Sequence, residues 1–256
     1  MNASVPIRRI DFNCDLGEGC GDDAAIIPFI SSASIACGAH AGDDASMRAT
    51  LRLCRVHGVA AGAHPGYADR AHFGRRETAL SRDDIGALLG AQLTRLAAIA
   101  RDEGVPLVHV KPHGALYNLA ARERDVADAI AAAVARFDPS LVLFGLSGSQ
   151  LTAAGSAAGL QVAHEVFAER GYGSDGQLLA RGTPGAVLET LDDAIAQARQ
   201  LATSNSLTAH DGSTLRLRAD TLCLHGDRAD AAAFARALRA ALQADAIHIL
   251  PIGAPA

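Results

Sequence analysis

The chain of 256 residues is predicted to fold as a single-domain α/β protein, a (β/α) barrel of about seven parallel strands spanning residues 1–256. Three observations predict it. Short apolar runs alternate with longer Ala/Leu stretches of helical period, the form of repeated βα units. Polar and charged residues gather where the apolar runs end, which is where a barrel of this kind carries its chemistry. Several helical stretches stop at a glycine, Gly58, Gly104 or Gly159, in the position of a C-cap.

The predicted strands cover residues 9–15, 34–37, 59–63, 107–111, 141–146, 161–167 and 221–225. In the first, Ile10, Phe12 and Cys14 alternate with Asp11, Asn13 and Asp15. One face is therefore apolar and the other carries two carboxylates and an amide. In the fourth, His109 and Lys111 share a face opposite Val108 and Val110. Helices are predicted over 44–56, 81–102, 124–136 and 229–243, with Ser81 and Asp84 spaced as a weak capping box. The stretch 207–219 reads as a hairpin around Asp211-Gly212.

Composition excludes several classes of function. A formal charge of −5 with no basic run or aromatic-interleaved Arg stripe argues against nucleic acid as a partner. Residues 1–9 lack a signal-peptide core and no apolar run reaches membrane-spanning length, so a cytoplasmic protein with no membrane partner is expected. Five cysteines without a C-x-x-C pair suggest neither a disulfide framework nor a zinc knuckle. The glycines of 171–176 match G-x-G-x-x-G, but no helix follows and no acidic strand end lies downstream, so they read as a turn. No phosphate loop G-x-x-x-x-G-K-[ST] and no G-x-S-x-G elbow is present.

The distribution of positive charge is uneven: the chain has 22 Arg and one Lys, Lys111, in the stretch HVKPHGALYN at 109–118. A chain that uses arginine wherever charge suffices retains lysine where a compact ammonium, able to lose its proton when buried, is needed. Other strand ends add Asp15 and Glu18 in NCDLGEG, His40 and Asp43 in CGAHAGDD, His64 in GAHPGY, Glu165, and His225. Each has a plainer reading: Asp15 as a turn cap, Asp43 or Asp44 as a helix N-cap, a lone histidine as a structural hydrogen bonder. Convergence from several strands favours a site. The long segment 62–76 suits a loop over a pocket, in which Arg75 or Arg76 could hold a carboxylate. Asp15, His40 and His64 could also form a divalent-metal set, but they lack local H-x-x-x-H spacing, and no tightly bound transition metal is expected.

Taken together, N-x-D-L-G-E at 13–18, S-x-x-I-A-C-G-x-H-A-G-D at 32–43, G-A-H-P at 62–65, F-G-R-R at 73–76, H-V-K-P-H-G-A-L-Y-N at 109–118, E-V-F-A-x-R at 165–170 and C-x-H-G-D at 223–227 resemble the LamB/YcsF family of 5-oxoprolinase A-type subunits. Three departures stand out: Ser34 in place of a common Asn, Glu169 in place of Asp, and ARGTPGA at 180–186 in place of a P-R-S sequence, which leaves the role of the loop around Arg181 open. The resemblance implies a barrel related to the glycoside hydrolase/deacetylase barrels. It also implies ATP-dependent opening of 5-oxo-L-proline to L-glutamate, with Mg2+-bound ATP and two further subunits, B and C. On that reading Asp15, His40 or His64 supplies the base, with Lys111, His113 and Glu165 completing the catalytic group. Arg170 adds positive charge, and Arg75 or Arg76 holds the substrate carboxylate. Tyr117 and Asn118 line the pocket, and Glu18, Asp43, His109 and His225 complete the substrate contacts. The alternatives are a stand-alone metal-dependent deacetylase and a scaffold subunit without catalytic function.

Overall fold

A computed structural model describes residues 8–228 and 230–254; the expected helix start at 229 and residues 1–7 of the N-terminal stretch lie outside them. In chain order the elements are β1 (Arg9–Leu16), α1 (Asp23–Ile26), β2 (Ser32–Ala36), α2 (Asp44–His57), β3 (Ala60–His64), α3 (Arg82–Asp102) and β4 (Leu107–Val110). They continue with α4 (Gly114–Arg122), α5 (Arg124–Phe137), β5 (Val142–Leu146), α6 (Gln150–Ala157), β6 (Val162–Phe167) and α7 (Leu191–Ser204). The hairpin β7 (Ser206–Thr208) and β8 (Thr214–Arg216), then β9 (Thr221–His225), α8 (Ala231–Ala244) and β10 (His248–Ile249), complete the chain.

Strands β1 to β6 and β9 pair in parallel in that order, and β9 returns to β1 to close a seven-stranded barrel. All seven expected strands are present. Register places Asp15 beside Ser34 of β2 on one side and His225 of β9 on the other. Strand β10, too short to leave a period in the sequence, adds in parallel to the start of β1. Helix α4 carries no separate signal in the sequence, because its first turn lies inside the 109–118 motif. Gly58 caps α2 in the left-handed conformation, and Asp43 is its N-cap in a box with Ser46. Ser81 accepts a hydrogen bond from the Asp84 N–H, as its spacing predicts. The hairpin forms around Gly212, with Asp211 accepting from the Ser213 N–H and hydroxyl.

The interior of the barrel departs from the aliphatic layers usual in such folds. The apolar face of β1, with Ile10, Phe12 and Cys14, is buried under the helices. The face that carries Asp11, Asn13 and Asp15 looks inward. At the floor, Asp11 accepts hydrogen bonds from Ser31, Ser32 and Thr221 at 2.7, 2.6 and 2.5 Å. Above it, Asn13 donates to Thr221 at 2.7 Å and to Glu165 at 3.0 Å. His109 lies at the same level, 3.2 Å from the Ser34 hydroxyl and stacked on Phe144. Gly62 is required here, because a Cβ would stand 2.2 Å from the His109 ring. Buried polar groups in such numbers are tolerated because nearly all are bonded to one another.

Candidate active site

Lys111 follows β4 directly, and its N–H donates to the Ala63 carbonyl at 2.9 Å, which continues the strand register. Its ammonium crosses the mouth of the barrel, 2.8 Å from Asp15 Oδ1 and 2.8 Å from Glu165 Oε1. Asn13 Oδ1 and Cys223 Sγ lie at 3.1 Å each. Burial opposes the charge, but the Asp15 and Glu165 carboxylates outweigh it and hold the Lys111 ammonium well above its ordinary value. The residue is a fixed cation. Of the two properties that set lysine apart, the site uses compactness and not the ability to lose a proton. Burial likewise works against Asp15, yet His64 and Lys111 hold its carboxyl well below the usual range.

The last residue of β3 and the loops after β1, β2 and β4 bring His64, Glu18, His40 and His113 together beside this pair. His64 has Nδ1 on the Lys111 carbonyl at 2.8 Å, with Nε2 3.3 Å from Asp15 Oδ2 and 2.9 Å from His113 Nδ1. His113 has Nε2 on the Phe73 carbonyl at 2.8 Å. His40 stacks on His113 with 3.7 Å between ring centres. Gly74, with φ of +62°, lets the 62–76 loop pass over both rings, since a Cβ there would lie 2.8 Å from His40 Cβ. Burial, then His64, pushes His40 down to about 3, and burial holds His113 well below the usual histidine range. Glu18 is pushed well above the usual carboxylate range by burial and by Asp15.

A cavity of about 420 Å³ opens over this group. Asp15, His64, Lys111, His113, Arg75, Tyr117, Asn118, Arg170 and His225 line it, nine of the predicted residues. His40, Glu18 and Glu165 stand behind that lining, touching His64, His113 and Lys111. Three predicted residues lie elsewhere. Asp43 is exposed and spent on capping α2, Arg76 is exposed against His72, and His109 sits a layer below Lys111.

The cavity lining also carries a group of cations: Arg122 and Arg181 join Arg75 and Arg170. Arg75 is ion-paired with Asp227. Arg170 is buried and donates to the Ala186 and Leu179 carbonyls, which holds the 178–187 loop against the barrel. Arg181, the residue whose loop departs from the expected pattern, thereby reaches the cavity. The sequence pattern assigns no role to Asn13, Cys223 or Glu169. Asn13 and Cys223 are on alternating strand positions that face inward with Asp15, a signal present in the pattern. Glu169 has no such signal: it accepts from His225 Nδ1 at 2.7 Å, from the His225 N–H at 3.2 Å and from Arg228 at 3.0 Å.

The profile of the LamB/YcsF family matches residues 10–256. The chain belongs to the LamB/YcsF family. It is 50% identical over 255 residues to the 5-oxoprolinase A-type subunit of Symbiobacterium thermophilum, covering 98% of this chain and 97% of that one. It is 48% identical over 243 residues to the protein of the same name from Neisseria meningitidis serogroup A, covering 95% and 99%. In structure it is similar to the lactam utilization protein of Thermus thermophilus, with a TM-score of 0.89, 42% identity, and 94% and 99% of the two chains covered. A T48 deacetylase shares the fold alone, with a TM-score of 0.50 and 13% identity over 95% of this chain and 88% of that one. Within this LamB/YcsF chain the two polar departures keep a bonding role, Ser34 toward His109 and Glu169 toward His225.

Proposed function

We propose that this chain is the A-type subunit of an ATP-dependent 5-oxoprolinase, acting with the B and C subunits to open 5-oxo-L-proline to L-glutamate. The observation that carries the reading is the buried Asp15–Lys111 pair facing a cavity with four arginines on its wall. Full-length relatives named as 5-oxoprolinase A-type subunits, and a lactam utilization protein of the same fold, support it.

An unstrained five-membered lactam resists hydrolysis. Transfer of the γ-phosphoryl group of Mg2+-bound ATP to the lactam oxygen makes the ring carbonyl carbon electrophilic. Water adds there and gives its proton to Asp15, the ring C–N bond breaks as the nitrogen takes up a proton, and an acyl phosphate forms. A second water releases phosphate and leaves L-glutamate. So activated a carbonyl asks little of its base, which suits a carboxylate held ionised beside Lys111. Lys111, at the same mouth, stabilises the negative charge that develops on oxygen. Arg75, Arg170 and Arg181 supply the cationic wall for the substrate carboxylate and the phosphoryl group.

The test is glutamate release from 5-oxoproline and Mg-ATP by this chain alone, by its candidate partner subunits alone, and by the reconstituted mixture. Turnover in the mixture only is the expected result. The isolated chain, having no phosphate loop, should hydrolyse little or no ATP. Glutamate release by the partner subunits without this chain would defeat the proposal.

A further inference from the structure

Glu18, His40, His64 and His113 are all buried, and their ligand atoms lie within 4.8 Å of one another. Two of the rings already have one nitrogen on a backbone carbonyl, His64 Nδ1 on Lys111 and His113 Nε2 on Phe73. A carbonyl only accepts, so those nitrogens carry protons. The opposite nitrogens, His64 Nε2 and His113 Nδ1, then face each other at 2.9 Å, with Asp15 Oδ2 a further 3.3 Å from His64 Nε2, so that electron pairs oppose one another there unless a positive charge, a proton or a metal ion, lies among them. Glu18 Oε1 stands 3.5 Å from that His113 nitrogen and 3.4 Å from His40 Nε2. Among the described residues, neither Glu18 Oε1 nor either nitrogen of His40 has a hydrogen-bond partner. Four electron-pair donors thus gather in one buried space; the His40 ring lies stacked on that of His113, so His40 must turn out of that stack to share a ligand with it.

Donor atoms bound at about 2.0–2.1 Å around a tetrahedral zinc ion lie roughly 3.4 Å apart. The separations here, 2.9, 3.4 and 3.5 Å, surround that spacing. Backbone carbonyls on the far nitrogens are the outer partners that fix the tautomer of a ligating histidine. An imidazole-rich set with one carboxylate favours zinc-class transition metals over magnesium or calcium.

We propose that Glu18, His40, His64 and His113 form a binding site for one divalent transition-metal ion of the zinc class. The site goes beyond the reaction argued above and does not rest on it. It revises the expectation of no tightly bound transition metal. That expectation rests on local ligand spacing, whereas these donors stand at the ends of four strands, β1 to β4, that are far apart in sequence and are brought side by side by parallel pairing. A metal ion there supplies Lewis-acid polarisation of an oxygen at the cavity wall beside Asp15. The competing arrangement places a second proton on His64, shared with His113 Nδ1, and needs no metal.

The experiment is metal binding by the purified, chelator-treated protein: titration with Zn2+, metal content by mass spectrometry after dialysis, and visible absorption with Co2+ as the probe. The expected result is one zinc per chain, a tetrahedral Co2+ spectrum, and a melting temperature raised by zinc. His64→Ala and His113→Ala should weaken zinc binding on the order of 100-fold or more, beyond the loss of an outer partner. His57→Ala, an exposed position on α2, should bind as the wild type does. Glu18→Gln, close in shape, keeps the test open should a histidine variant fail to fold. It should retain the fold by circular dichroism and lose the zinc-dependent rise in melting temperature. Zinc content well below one per chain, or equal affinity in the wild type and the folded variants, overturns the proposal.

Discussion

Asp11 and Asp15 lie on the same face of the same strand, both buried, and end in opposite electrostatic states. At the floor of the barrel Asp11 is surrounded by three hydroxyls and no cation, and burial pushes its carboxyl up to about 6. At the mouth Asp15 meets Lys111 and His64, and its carboxyl is held well below the usual range despite the same burial. Burial alone therefore does not mark a functional carboxylate in this molecule. The partner does: hydroxyls make a structural anchor, whereas a fixed cation beside a cavity makes a charge available to chemistry.

The largest way to break that contrast is to remove the cation. Lys111→Met strands Asp15 and Glu165 without their counter-charge, and should cost about 3–5 kcal/mol of stability and abolish turnover of the assembled enzyme. Lys111→Arg is the sharper variant, because four partners within 3.1 Å leave no room for a guanidinium in the same place. It should fold yet lose activity by on the order of 10²-fold or more, as loss of one charge-stabilising donor does. Turnover and thermal melts of the reconstituted enzyme measure both effects. Near-native activity in Lys111→Arg would show that a compact ammonium is not required.

Next in size is Asp15→Asn. It preserves shape while removing the charge, and should lower kcat by roughly 10²- to 10⁴-fold, the usual contribution of a positioned base. Circular dichroism should show the fold intact. An Asp15→Asn enzyme within about tenfold of wild type would move the base elsewhere in the cavity.

The mouth was more legible in the sequence than the floor. The alternation in β1, the lone lysine and the strand-end histidines each point inward once a barrel is assumed, and Asp15, Lys111, His64 and His225, which they select, line the cavity; Arg75 follows from the length of the 62–76 loop, and His113, Tyr117, Asn118 and Arg170 only from the family resemblance. Asp43 and Arg76 were less legible, because the motif positions they occupy do not say which way a loop side chain turns. Asp43 caps a helix, and Arg76 meets His72 in solvent. His109 shares a face with Lys111 but lies one layer deeper, a difference of depth that a two-residue period does not encode. The convergence of Glu18, His40, His64 and His113 is a property of the parallel pairing of β1 to β4, and no local spacing records it.

His109 tests the layer between floor and mouth. Burial, helped by Lys111, pushes it down to about 3 from an ordinary 6.5. With the folded value depressed, its contribution is fully present above pH 6.5 and is lost as pH falls toward 3, on the order of 5 kcal/mol in all. His109→Gln, which retains a partner for Ser34, should flatten the acid side of the stability curve in denaturant titrations between pH 6.5 and 4.5. An unchanged slope would mean that His109 is not the group that senses acid.

The smallest effect expected belongs to Asp11, and it has the opposite sign. Its folded value is raised, from 3.8 to about 6, so the folded state holds the proton more tightly than the unfolded chain. The associated stability is fully present below pH 3.8 and is lost as pH rises through about 6, a change of about 3 kcal/mol for a shift of that size. Asp11→Asn cannot titrate. It should remove that decline, leaving a stability curve that rises more steeply from pH 4 to 6 than that of the wild type, since the acid-sensitive histidines then act unopposed. Turnover at neutral pH should stay within about threefold, because Asp11 contacts only hydroxyls at the far end of the barrel from the cavity. A loss of activity as large as that of Asp15→Asn, with the fold retained, would show that floor and mouth act as one unit and that the kind of partner does not separate them.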